Sequence, residues 1–240
     1  MNKHHLTNMK VLGIIGGLSW ESTQHYYQIM NRDIQEKLGR SNSIEAIIYS
    51  INFERIKASL DKNDWGHIAK DVIEIAKKIE SAGASFLIMT SNAVHKVADE
   101  IAAQISIPLL HIVDPTAQAI KQAKITKVGL IGTSITMEET FYKDRLKNTH
   151  GIEVVIPEKS DRDCIQKIIF EELTVGKLIS TSRVALYTII SKLAKSGAEA
   201  VILGCTELTL IVEQKGTSVT LFDTTELHAK AAVNTLLETQ

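Results

Sequence analysis

The sequence predicts an α/β protein of two pseudosymmetric doubly wound domains, each with a four-stranded parallel sheet. Three observations predict it. Short apolar runs alternate with longer helical patterns along the 240 residues, the arrangement of strands joined by crossover helices. The runs are apolar at nearly every position, as strands buried on both faces must be. Finally, four motifs occur twice, in the same order and at near-constant separation.

The eight strand candidates cover residues 11–15, 46–49, 86–89, 109–112, 127–131, 153–156, 200–203 and 219–222. Each is rich in Val, Ile and Leu and is followed by Gly, Ser, Asn, Thr or Asp. Val11-Leu-Gly-Ile-Ile-Gly16 matches Val128-Gly-Leu-Ile-Gly132, and Ile44-Glu-Ala-Ile-Ile48 matches Ile152-Glu-Val-Val-Ile156. Gly83-Ala-Ser-Phe-Leu-Ile-Met89 matches Gly197-Ala-Glu-Ala-Val-Ile-Leu203, and Leu109-Leu-His-Ile-Val-Asp114 matches Thr220-Leu-Phe-Asp223. The separations are 117, 108, 114 and 109 residues. A last helical pattern, 224–237, is expected to return to the first half. The domains expected are therefore 9–115 plus 224–240, and 116–223. Ligands of doubly wound sheets bind beyond the carboxyl ends of the strands. Two such halves facing each other place the expected active site in the cleft between them.

Composition narrows the function classes. With 27 basic and 28 acidic residues, the formal net charge is −1, which excludes the basic face of a dedicated nucleic-acid binder. Hydrophobic residues at 44% and charged residues at 23% are ordinary for a globular enzyme. No apolar run approaches the roughly 20 residues of a membrane span. The first eight residues, with His4 and His5, are polar and lack a signal-peptide core, so a cytoplasmic location is expected. The two cysteines, Cys164 and Cys205, are expected as free thiols. Pro108, Pro115 and Pro157 sit beside strand candidates, and no Pro-rich linker occurs.

Several familiar sites are excluded. Gly13, Gly16 and Gly17 form a glycine turn after the first strand, but the spacing is not that of a dinucleotide fingerprint. No Walker lysine follows, and no His, Cys, Asp or Glu cluster has metal-ligand spacing. Glycines here let backbone amides approach a small anionic ligand.

The third strand of each half is the informative one. Counted from the shared glycines Gly83 and Gly197, Ser91 and Cys205 are equivalent. Each is a proton-carrying side chain at a strand exit where a helix begins, a place expected to bind carboxylates and to lower a thiol pKa. Cys205 is a candidate nucleophile or base, or alternatively a small buried hydrophobe. Cys164, inside a helical pattern, fits the second description. His95 fits helix capping or core packing, and Asp114 and Asp223 fit N-caps of the following helices.

These residues carry a resemblance. Gly13-Ile-Ile-Gly-Gly-Leu-Ser-Trp-Glu-Ser-Thr23, Ser91-Asn92 with His95, and Gly204-Cys-Thr-Glu-Leu208 resemble the aspartate/glutamate racemase superfamily over the chain from Lys10. The bacterial L-aspartate/glutamate racemases are the most similar subgroup, through the first run and Ile168-Ile-Phe-Glu-Glu172. The resemblance implies a cofactor-independent enzyme, commonly dimeric, that moves a proton at Cα of a small amino-acid substrate. Two cysteines usually flank Cα; here Ser91 stands at the first position and Cys205 at the second. Cys205 then takes the proton of the L-enantiomer and Ser91 donates on the other face. An alkyl hydroxyl is no match for a thiol as a free base, so the reverse direction is the weak point.

Asn92, Ala93 and Thr206 follow the two proton carriers and are placed for the α-carboxylate. Gly17, Leu18 and Thr133 offer contacts at the other strand exits, and Glu207 is placed to tune Cys205. By the same resemblance, Lys167 and Arg55 stand where a side-chain carboxylate is paired, although both also fit solvated helix faces. A single-cysteine decarboxylase on the same scaffold is a rival reading, as is a degenerate homologue that only binds an acidic metabolite.

Overall fold

The computed structural model describes residues 10–238. His4, His5 and residue 9, the expected start of the first domain, lie outside the described residues, as do 239 and 240. In chain order the elements are β1 (Leu12–Gly16), α1 (Trp20–Leu38), β2 (Ala46–Ser50), α2 (Phe53–Leu60), α3 (Trp65–Ser81), β3 (Phe86–Met89), α4 (Ala98–Ala102) and α5 (Val113–Gln122). There follow β4 (Lys127–Gly132), α6 (Ser134–Glu138), α7 (Thr140–Asp144), β5 (Glu153–Val155), α8 (Lys159–Glu171), α9 (Ser180–Lys195), β6 (Ala200–Gly204), β7 (Thr220–Asp223) and α10 (Thr224–Leu237). No helix among the described residues is long and apolar enough to cross a membrane.

The chain divides into two units, one running to His111 and resuming at His228, the other Ile112–Leu227. In the first, a parallel sheet is ordered β2-β1-β3. Its central strand is wholly buried, and alternate side chains feed two cores. Leu12 and Ile14 pack with Tyr26, Met30 and Ile34 of α1 and with Ala229, Ala232 and Val233 of α10. Ile15 packs on the other face with Ile68, Val72, Ile75 and Ile79 of α3. The i, i+4, i+8 spacing in α1 and the 68/72/75/79 stripe in α3 are what a helix needs to cover a sheet with one face. Truncating a fully buried member such as Ile14 to Ala is a cost of about 2–5 kcal/mol.

The second unit repeats the plan with order β5-β4-β6-β7, all parallel. Val128 and Leu130 face α5 and α7 through Ala117, Ile120 and Tyr142. Ile131, Val201 and Leu203 face α8 and α9 through Ile165, Ile169, Ile189 and Leu193.

One element departs from expectation. The fourth strand of the first sheet, anticipated at 109–112, is reduced to a single bridge between Leu87 and Leu109. Leu87 N–H donates to Pro108 O at 2.8 Å and Leu110 N–H donates to Leu87 O at 2.9 Å. Pro108 has no N–H to extend the ladder, and the chain turns into α5 at Val113, so pairing ends after one residue. Its counterpart β7 pairs over four residues, Thr220 to Asp223.

Candidate active site

In the second unit, β4 and β6 leave the sheet side by side through Gly132 and Gly204. A Cβ on Gly132 would lie 2.8 Å from Gly204 O, and one on Gly204 2.9 Å from Leu130 Cδ1. Small residues are therefore required where these strands exit. Beyond Gly204 the chain is extended at Cys205 and then forms a 3₁₀ turn, Thr206–Leu210. Cys205 is 7% exposed and Glu207 is 8% exposed. The Cys205 thiol donates to Glu207 Oε2 at 3.0 Å, and Thr206 Oγ1 donates to the same oxygen at 2.7 Å.

This arrangement reverses the expected direction of the thiol shift. Burial pushes the Cys205 thiol well above its ordinary value, and the Glu207 carboxylate adds to the rise by its charge and its hydrogen bond. The N–H groups of Glu207 and Leu208 pull the other way and are outweighed. The turn is a single short 3₁₀ segment, while a carboxylate sits in direct contact with the thiol. In the resting protein Cys205 is a thiol aimed at a carboxylate. Cys164, half-buried on α8 at the edge of the core, is likewise free.

Thr133 caps α6: its Oγ1 accepts from Thr136 N at 3.4 Å and bonds Thr136 Oγ1 at 3.1 Å. The Ser134 amide donates to Gln166 Oε1 at 2.8 Å. Gln166 is thus the α8 residue that meets the β4 exit, and the sequence reading passed over it for its neighbour. Lys167 lies on the outer face of α8, 68% exposed, with Glu171 at 3.9 Å.

In the first unit, Gly17 has φ +77°, and a Cβ there would run into the backbone of Ile51. Left-handed conformation and close approach both require glycine. Its amide donates to Thr23 Oγ1 at 2.8 Å. Thr23 Oγ1 in turn donates to Ser19 O at 3.0 Å, so it accepts from the Thr90 hydroxyl, also 3.0 Å away. Ser22 Oγ donates to Thr90 O at 2.9 Å, and Ser19 Oγ accepts from Ser22 N at 3.2 Å as the cap of α1. The run from Gly16 to Thr23 is therefore a hydroxyl network that ties the β1 exit, the start of α1 and the β3 exit together. It engages the Gly17 amide, and it holds Thr90, fully buried, inside the unit. Leu18 is buried in the apolar core beside it.

Ser91, half-buried, follows Thr90 at the β3 exit. Asn92 is 4% exposed and Ala93 opens the 3₁₀ turn Ala93–Val97. The ring of His95 donates from Nδ1 to Ser91 O at 2.7 Å, which fixes the backbone of the turn and not the Ser91 hydroxyl. His95 is buried against His111, ring centroids 4.6 Å apart. His228 lies 5.8 Å from His95, accepts from Tyr26 OH at Nδ1 (3.0 Å) and donates from Nε2 to Leu110 O at 2.9 Å. His95 is thus a capping and packing residue.

Asp223 caps α10 as expected, accepting from Thr225 N at 2.8 Å and Glu226 N at 3.1 Å. Asp114 does not cap. It lies inside α5 and accepts a two-pronged bond from Arg145, at 2.8 and 2.7 Å, with His150 Nε2 at 3.0 Å. Burial raises its carboxyl, but the bonds and charges of Arg145 and His150 outweigh that and hold it below its ordinary range. Among the described residues no three His, Cys, Asp or Glu side chains are grouped to hold a metal ion.

The model of the family described as Asp/Glu/Hydantoin racemase matches residues 15–232. The chain belongs to this family. It is similar to the broad specificity amino-acid racemase RacX of Bacillus subtilis, 26% identical over 96% of this chain and 100% of that one. Among solved structures, a candidate Asp/Glu racemase from Yersinia pestis is 45% identical, with TM-score 0.90 over 96% of this chain and 100% of that chain. An aspartate racemase homologue from Pyrococcus horikoshii is 36% identical, with TM-score 0.84 over 96% and 100%. The family thus agrees with the two-sheet α/β architecture.

Proposed function

We propose that the protein racemises an acidic amino acid, aspartate or glutamate, by moving a proton at Cα without a cofactor. The observation that carries this reading is the Cys205 thiol, held 3.0 Å from Glu207 Oε2 at the exit of β6. Abstracting a Cα proton needs a thiolate. Glu207 is the acceptor already bonded to the thiol proton, and the N–H groups of Glu207 and Leu208 stabilise the charge left on Sγ. The thiolate takes the α-proton of the L-enantiomer and becomes a thiol again. Ser91, or a water it holds, supplies a proton to the opposite face, and solvent closes the inventory. Asn92, Ala93, Thr133 and Thr206 contribute to holding the α-carboxylate, Thr206 through its amide because its hydroxyl is bonded to Glu207.

A thiol that rests protonated also suits an enzyme that only donates a proton, which keeps the decarboxylase reading as a second one. The two separate cleanly. Exchange of Cα–H in D₂O on a panel of L- and D-amino acids, beside carbon dioxide release from a malonate analogue, is the test. Exchange with aspartate or glutamate and no carbon dioxide is the expected result; carbon dioxide without exchange refutes the racemase reading.

A further inference from the structure

The first unit carries a guanidinium at the strand exits that is held by a residue the proposed reaction has not used. β2 ends at Ser50, and Ile51 N–H donates to Gly16 O at 2.9 Å, joining the exits of β1 and β2. Asn52 then caps α2 by accepting from Glu54 N at 3.2 Å, and Arg55 N–H donates to Asn52 O at 3.0 Å. Arg55 therefore lies in the first turn of α2, on the same rim as Gly17 and Ser91. Its side chain crosses to α3, where Nη2 meets Asp71 Oδ2 at 2.9 Å. Asp71 is only 12% exposed, while Arg55 is 55% exposed. His67 Nε2 lies 3.8 Å from the same Asp71 oxygen.

A mostly buried carboxylate thus holds a largely exposed guanidinium in place. An arginine carries five donors in a rigid fork. Among the described residues its guanidinium makes one hydrogen bond, to Asp71, which leaves donors for a second carboxylate in the two-pronged form. Fixing the side chain beforehand removes the cost of ordering it when a ligand arrives. We infer that Asp71 is a positioning residue for substrate specificity: it holds Arg55 ready to receive the side-chain carboxylate of the amino-acid substrate. The inference rests on the racemase reading above.

The test compares L-aspartate with L-asparagine, nearly the same shape but without the side-chain charge, in Cα–H exchange by wild type, Arg55→Ala, Asp71→Asn and Asp71→Glu. Wild type is expected to prefer aspartate. Asp71→Asn should raise KM for aspartate about fivefold with little change in kcat, the scale set by ordering one long side chain on binding. Asp71→Glu should restore part of the loss, and Arg55→Ala should abolish the preference. Equal losses on both substrates in Asp71→Asn would mark the pair as structural and overturn the inference, as would a wild type with no preference for aspartate. Both outcomes leave proton transfer at Cα standing, and the second removes only the preference for an acidic substrate. Absence of exchange from any amino acid by wild type would instead remove the racemase reading, and the inference with it.

Discussion

Replacing Glu207 by Gln should lower the pKa of the Cys205 thiol, because it removes the charge that sits beside the sulfur. The carboxylate oxygen is 3.0 Å from Sγ, and both groups are buried. Two unit charges about 4 Å apart interact by about 4 kcal/mol at an effective dielectric near 20. That charge is therefore a substantial part of what keeps the proton on sulfur, second to burial. Burial, the largest cause of the rise, is untouched by the substitution, and so are the amides of Glu207 and Leu208 that favour the thiolate. The thiol therefore moves down without reaching the value of a solvent-exposed cysteine at a helix end. The sign is definite: wild type should hold the thiol form to higher pH than Glu207→Gln. The assay is thiolate ultraviolet absorbance against pH in a Cys164→Ala background, so that one sulfur reports. An unchanged or higher midpoint in Glu207→Gln would refute the claim that the carboxylate holds the proton on Cys205.

Two further outcomes follow from the same geometry. Cys205→Ala should reduce Cα–H exchange of the L-substrate by about 10²–10⁴-fold, the usual contribution of a general base, while Cys164→Ala, at the edge of the core, should leave it nearly intact; equal losses would give Cys205 a structural role. Asp114→Asn should cost about 1–2 kcal/mol of stability at neutral pH, allowing for partial exposure of its bonds to Arg145 and His150. Because the Asp114 carboxyl is lowered from 3.8, its contribution is complete above that value and disappears as pH falls through the folded-state pKa. Urea unfolding of both proteins at a series of pH values should show the difference shrinking only on the acid side, and a difference independent of pH would contradict the assignment.

Much of the fold was legible because buried parallel strands leave a plain signature. The third strand of the first half and the last helix were read to the residue, and the repeated motifs located the equivalent exits of both sheets. The stunted fourth strand was not legible, because an apolar run beside Pro108 reads as a strand until one sees the chain turn into α5. The contact between Cys205 and Glu207 was legible because chain neighbours at a strand exit stay neighbours in space. The sign of the thiol shift was not, since it depends on burial and on which way the Glu207 side chain folds. Partners distant in sequence were invisible for the same reason. Asp71 meets Arg55 from another helix, Arg145 and His150 draw Asp114 away from a capping role, and Thr90 joins Thr23 across the sheet. Gln166 could have been found: it lies one residue before Lys167, on the turn of α8 whose neighbours Ile165, Ile168 and Ile169 are buried.

The most direct test of the central claim is the isotopic content of the first product formed. L-aspartate, or L-glutamate if that is the better substrate, is converted in D₂O and sampled at early time points, and the enantiomers are separated before Cα deuterium is measured by NMR. If Cys205 removes the proton on one face and Ser91 or its water delivers on the other, the new D-enantiomer carries solvent deuterium at Cα. The remaining L-enantiomer should then stay largely protiated. A D-product that retains the substrate's own proton would mean one group serves both faces and would contradict the account.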